Sequence, residues 1–179
     1  MKRPIRVTVA LDEETYEIFN RLRDELKVSQ SELIRRVLRF YSVYGELERY
    51  ESRKVMIYVE MLSEGEHVIL DIDHWIAFLR FIETHPEKEK FWEIHRDVAR
   101  AHAEEFKGRD AKYVLERLEA CNFFRINAKN GEWTLVLNHE STKKFIRDFL
   151  EEVFKNMGLN VEIKEDLMKL RLKFNNPPP

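Results

Sequence analysis

The first regular pattern in the chain is a strict alternation over Arg6-Val7-Thr8-Val9-Ala10-Leu11. Val7, Val9 and Leu11 share one face, and Arg6, Thr8 and Ala10 the other, because successive side chains of a strand point to opposite sides. A single strand this short cannot cover its apolar face or satisfy its ladder hydrogen bonds alone. No second strand follows it directly. The simplest completion is a second copy of the same strand from another subunit, giving a two-stranded ribbon of a width that fits the DNA major groove.

The period then changes to that of a helix. Asp12 stands as an N-cap, with Glu13 and Glu14 at the positive end of the helix dipole. Tyr16, Phe19, Leu22 and Leu26 carry the apolar stripe to about Leu26, and Lys27-Val28 breaks it. Ser29 with Glu32 forms an S-x-x-E capping box. It opens a second helix with Leu33, Ile34, Val37, Leu38 and Tyr41 as its stripe, while Arg35, Arg36 and Arg39 lie on other faces. Gly45 ends or bends this helix.

From Leu47 to Ser63 the spacing predicts a further helix as a connector, stopped at Ser63-Glu64-Gly65-Glu66. Val55–Val59 alone has strand propensity. Val68–Ile72 reads as a short buried strand, and Asp73 as the cap of a helix through Trp75, Phe78, Leu79 and Ile82. Pro86 interrupts. An amphipathic helix over about Glu87–Phe106 and a shorter one over Asp110–Ala120 follow, with Gly108 between them. Phe123–Ala128 and Glu132–Asn138 flank Lys129-Asn130-Gly131, an Asn-Gly hairpin signal. Ser141 is expected to cap a helix containing Phe145, Ile146, Phe149, Leu150, Val153 and Phe154, closed by Gly158. Strands at Leu159–Lys164 and Leu167–Phe174 complete the pattern, and the Asn-Asn-Pro-Pro-Pro ending at 175–179 suits neither helix nor sheet, so it is expected to be disordered.

Strand, helix, short turn with a capping serine, helix: over residues 4–45 the chain resembles the ribbon–helix–helix family of transcriptional regulators. The resemblance rests on Arg6-Val7-Thr8-Val9-Ala10-Leu11-Asp12 and Val28-Ser29-Gln30-Ser31-Glu32-Leu33-Ile34-Arg35. It implies an intertwined homodimer whose outward strand residues, Arg6, Thr8 and Ala10, read bases. It also implies a phosphate held at the start of the second helix, around Lys27, Val28, Ser29 and Gln30, where free N–H groups and the helix dipole favour an anion. Two positions depart from the family pattern. Lys27 stands where glycine is common, and Ala10 where a polar third reader is usual, so Arg6 and Thr8 carry most of the discrimination.

The expected fold is thus α+β: a ribbon–helix–helix domain at 1–45, a helical connector at 46–64, a mixed α+β domain at 65–174 for sensing or oligomerisation, and the tail. Composition changes this little. Charged residues make up 36% and hydrophobic ones 44% of 179 residues, as in a soluble globular protein. No run approaches a membrane span, the start lacks the apolar stretch of a signal peptide, and one cysteine, Cys121, fits a reducing cytoplasm. Gln30 is the only glutamine, a bias also seen in heat-adapted proteins. Net charge is −2 overall, but residues 1–45 hold nine Lys/Arg against seven Asp/Glu. That permits DNA binding without arguing for it.

Other chemistry finds weaker footing. His67, His74, His85, His95, His102, His139 and Cys121 are the candidate metal ligands, yet His95 and His102 lie seven apart, wider than the i,i+4 spacing that one ion bridges easily. No metal site and no cofactor is expected. Nucleotide-binding, nucleophile-elbow and metalloprotease motifs are absent. Asp71 and Asp73 could pair carboxylates, but Asp73 reads better as an N-cap and Asp71 as a loop-facing residue, so no enzyme is expected. A helix at 110–120 followed by a hairpin has the order of a winged helix. Arg125 and Lys129 are the only basic residues from 122 to 142, too few for a phosphate surface. The reading is a sequence-specific DNA-binding regulator, a repressor, whose partners are double-stranded DNA and its own copy as dimer or tetramer. The alternatives are an antitoxin-like protein whose C-terminal region binds a partner protein, and a regulator responsive to a metal or small-molecule effector.

Overall fold

The computed structural model describes residues 5–65, 67–129 and 132–175. Chain contacts divide it after Ser52 into two compact units.

The first unit contains Ile5–Leu11, where the strand expected over Arg6–Leu11 is not formed because a single chain offers it no pairing partner, and two helices, α1 (Glu13–Leu26) and α2 (Gln30–Tyr44). Asp12 caps α1 as its sequence position requires, its carboxylate accepting the Thr15 N–H at 2.8 Å. Ser29 Oγ accepts the Glu32 N–H at 3.2 Å and caps α2. The reciprocal half of the expected capping box does not form. Glu32 turns outward and accepts from Arg35 and Arg36 instead, a charge-assisted pairing that outcompetes a neutral backbone amide. After Tyr44 the chain tightens into a 3-10 turn over Gly45–Arg49, and Tyr50 is extended. The connector predicted as one helix from Leu47 to Ser63 is therefore divided.

The second unit holds α3 (Ser52–Ser63, all but its first residue), α4 (Ile72–Thr84), α5 (Lys88–Glu105), α6 (Ala111–Ala120) and α7 (Lys143–Asn156). Its four strands are β1 (Phe124–Lys129), β2 (Glu132–Leu137), β3 (Val161–Asp166) and β4 (Lys169–Phe174). They form one antiparallel sheet in the order β1-β2-β4-β3. Alternation decides its faces: Phe124, Leu135, Leu137, Leu170 and Leu172 are buried, while Arg125, Val136, Arg171 and Lys173 are exposed. On α7, Ile146, Phe149, Leu150, Val153 and Phe154 repeat at helical spacing and are all buried, joining the same apolar core as the sheet and α6. The mixed helix and antiparallel-sheet composition is the α+β class that the patterning predicts.

Several local expectations are corrected. Val68–Ile72 is not a buried strand. Val68 and Ile69 are 87% and 72% exposed, and Asp71, not Asp73, caps α4 by accepting the Asp73 N–H at 2.9 Å. A three-residue apolar run cut short by a capping aspartate has no strand to pair with. Ser141 does not cap α7. The chain first makes a 3-10 turn over Glu140–Thr142, fixed by His139, whose Nδ1 accepts the Ser141 N–H at 3.0 Å and whose carbonyl accepts from Thr142 Oγ1 at 2.7 Å. Leu167, expected to open β4, is instead an 83% exposed turn residue with φ 48°. Phe78, placed on the apolar stripe of α4, is 54% exposed, and Phe81 is 69% exposed. The Asn130-Gly131 turn and the end of the tail lie outside the described residues, although β1 and β2 pair as expected on either side of that turn.

Candidate nucleic-acid interface

Alternation places Arg6, Thr8 and Ala10 on one side of the Ile5–Leu11 segment and Val7, Val9 and Leu11 on the other. Every residue of the segment is exposed: Val7 is 79%, Val9 64% and Leu11 40% accessible. No backbone hydrogen bond ties Ile5–Leu11 to any other part of the described chain. A single chain thus leaves the ladder groups of this segment unpaired and its apolar face uncovered.

The helices behind it share the deficit. Leu33, 2% exposed, is the one buried hydrophobic residue among the described residues of the first unit. Phe19, Leu22 and Val28 are half-buried. On α2, Ile34, Val37, Leu38, Phe40, Tyr41, Val43 and Tyr44 are all exposed. Phe40, Val43 and Tyr44 lie outside the stripe read from sequence, and the rings of Phe40 and Tyr44 meet at 4.7 Å. Their i,i+3 and i,i+4 spacing was the signal for a wider apolar arc. A unit of about fifty residues needs far more buried surface than this to fold alone.

The turn between α1 and α2 is better determined. Lys27 adopts the left-handed conformation, φ 51° and ψ 46°, which is the backbone that glycine commonly supplies. It closes α1: the Lys27 N–H reaches the Asp24 carbonyl at 3.4 Å and the Val28 N–H the Arg23 carbonyl at 3.2 Å. Val28 was expected to offer its amide to a phosphate, but that N–H is already bonded within α1's closure. Ser29 Oγ serves Glu32, and the Leu33 N–H bonds the Ser29 carbonyl at 2.9 Å. The N–H groups left without a partner among the described residues are those of Ser29, Gln30 and Ser31, so the anion-ready position moves one residue onward. Hydrogen bonds from Arg35, then Arg36, hold the Glu32 carboxyl below the usual carboxylate range, keeping it charged beside the helix start. No hydrogen bond or ion pair links Arg6, Thr8 or Ala10 to Lys27–Gln30.

The first unit is thus a capped helix pair preceded by an exposed segment of alternating apolar and polar residues. Residues 5–43 match the family model described as ribbon-helix-helix protein, copG family, whereas no family model matches the second unit. That family is a DNA-binding fold of transcription regulators and antitoxins. No curated protein and no solved structure matches the chain.

Of the remaining candidates in the second unit, His67 and His102 meet edge to face with ring centroids 6.0 Å apart, and His95, His102 and Cys121 line one cavity. Among the described residues no three His, Cys, Asp or Glu side chains gather as a metal-ion set. His95 is buried, with its Nε2 2.9 Å from the Phe145 carbonyl, so Nε2 carries the proton; burial holds its pKa below the ordinary histidine value. Burial likewise pushes the Cys121 thiol up, keeping it protonated. No helix among the described residues is long and apolar enough to cross a membrane.

Proposed function

We propose that this protein is a sequence-specific DNA-binding transcriptional regulator, acting as a repressor, that reads the major groove through a ribbon made from two copies of residues 5–11. The observation that carries this reading is the uncovered Val7-Val9-Leu11 face on a unit with one buried hydrophobic side chain. Antiparallel pairing of two such strands satisfies the ladder groups, puts the three apolar side chains of each copy over the helices, and turns Arg6, Thr8 and Ala10 outward. In the groove, Arg6 can donate two hydrogen bonds to the O6 and N7 atoms of guanine, Thr8 can donate or accept, and Ala10 offers a methyl contact. The amides of Ser29, Gln30 and Ser31, with the Lys27 ammonium nearby in sequence, are suited to the flanking phosphate. Two-fold symmetry then calls for a palindromic or repeated operator.

The antitoxin-like alternative places a partner-binding tail after the ribbon module. Residues 53–175 form instead a unit with its own sheet and core, which supports the regulator. Selection of bound duplexes from a random pool tests the reading. A palindromic consensus is expected, and Arg6→Ala should lose about 1–3 kcal/mol of base discrimination per half-site while remaining dimeric. Failure to enrich any sequence, or undiminished discrimination by Arg6→Ala, refutes the assignment of the reader.

A further inference from the structure

The second unit contains two adjoining cavities of about 190 and 260 Å³ that share Met61, Cys121, Phe123 and Phe145 as walls. The first also runs against Val98 and His102 of α5 and Phe149 of α7. The second is bounded by Val68, Ile69 and Leu70, the irregular segment whose apolar side chains are largely exposed.

Wall polarity narrows what can enter. Arg117, 8% exposed, is paired with Glu60 at 3.1 Å and Glu64 at 3.9 Å. Tyr58 Oη accepts from Asn122 Nδ2 at 3.4 Å, and Asn122 Oδ1 accepts from Lys54 at 2.9 Å. The Cys121 thiol points to Met61 Sδ at 3.6 Å. Histidine Nε2 of residue 95 is bonded to the Phe145 carbonyl, and His102 Nδ1 lies 3.0 Å from the Val98 carbonyl. The one charged wall residue, Arg117, therefore has its counter-ions already, and a charged guest would be desolvated without a partner. An apolar cavity of about 150 Å³ is already large enough to stay dry and take up benzene.

We propose that this space is a binding site for a neutral, apolar ligand of about one aromatic ring, held between α3, α5, α6 and α7 with the Val68–Leu70 segment along one side. The site lies wholly in the second unit and does not depend on the DNA reading.

Methionine methyl NMR on the full-length protein, with no DNA present, tests it. Met61 lines both cavities, whereas Met56 is 66% exposed and lines neither, so the two methyls report the site and the bulk surface. Benzene is expected to shift the Met61 resonance saturably and leave Met56 unmoved, and benzoate, the same ring with a charge, to have no effect. Val98→Trp alters a residue that is 44% exposed, and should fold while narrowing the cavity and weakening benzene binding at least tenfold. Cys121→Leu, on the wall common to both cavities, provides a second narrowing variant with the same expected loss. A Met61 shift that never saturates, equal movement of Met56, equal binding of benzoate, or wild-type affinity in both folded variants overturns the proposal.

Discussion

Lys27 offers a substitution whose effects on stability and on DNA affinity should run in opposite directions. With φ at 51° and ψ at 46°, its Cβ sits in the left-handed region that costs an ordinary L-residue about 1 kcal/mol relative to glycine. Lys27→Gly relieves that strain in each copy while leaving the closing bonds from the 27 and 28 amides in place. The greater chain entropy of glycine when unfolded takes back part of the gain, leaving about 0.5 kcal/mol per chain. The readout is urea unfolding at several protein concentrations. The transition of the first unit is identified by a midpoint that rises with concentration, as an associating unit requires. The same change removes one cation per copy beside the proposed phosphate. For a dimer losing two phosphate contacts, the slope of log K against log salt should flatten by about 1.8. Lys27→Ala separates the two effects: it loses the charge but keeps the strain, so the salt slope should flatten without any gain in stability. If Lys27→Gly is no more stable than Lys27→Ala, the left-handed strain is not felt. If the salt slope is unchanged in both, Lys27 does not lie against a phosphate.

Other substitutions probe neighbouring parts of the argument. Val9→Lys puts a charge on the face that the paired ribbon is proposed to bury, and should shift the protein to monomer in sedimentation equilibrium; an unaltered dimer excludes a ribbon interface. Leu33→Ala removes the one fully buried side chain among the described residues of the first unit and should cost about 2–4 kcal/mol in the concentration-dependent transition, with the second unit's transition unmoved. His95 is held neutral by burial, its folded pKa lying below the unfolded value near 6.5. As the pH falls through about 6.5 the unfolded chain binds a proton that the folded one refuses, so stability drops, levelling only below the depressed folded pKa. His95→Gln should flatten that part of the profile of the second unit, measured by urea midpoints between pH 7.5 and 5. Cys121, pushed toward its protonated form by burial, should react with iodoacetamide more slowly in the folded protein than in urea.

What could be read from the sequence follows how local the governing physics is. Asp12 and Ser29 announced their caps because an N-cap is decided within three residues, and the structure has both accepting the expected amide, while Asp110, read as the first helical residue, is the cap of α6. The stripe on α7 and the alternation of β2 and β4 were equally legible, since one buried face imposes a fixed period. The left-handed turn at Lys27 was visible only as a lysine standing where the family places glycine. Val68–Leu70 misled because three apolar residues in a row look like a core strand, and nothing local says whether a sheet edge lies within reach. The cap expected at Asp73 falls instead to Asp71, two residues earlier, for a similar reason. The insertion of β4 between β2 and β3 and the cavity at Met61 and Cys121 depend on contacts distant in sequence. For the proposed reader, the sequence singles out Arg6, Thr8 and Ala10, while the geometry proposed for them requires a second chain.

A first unit with so little interior of its own has a consequence for dosage. If its folding is completed only by a second chain, the amount of assembled reader grows with the square of chain concentration when chains are scarce, and linearly once pairing saturates. Occupancy of an operator would then stay low through early synthesis and rise steeply past a threshold. The second unit has a core of its own, so on the same condition chains below that threshold would pair a folded second unit with an uncovered N-terminal arm. The arm is then the part that proteases meet first, and scarcity of the protein becomes self-reinforcing until synthesis outruns removal.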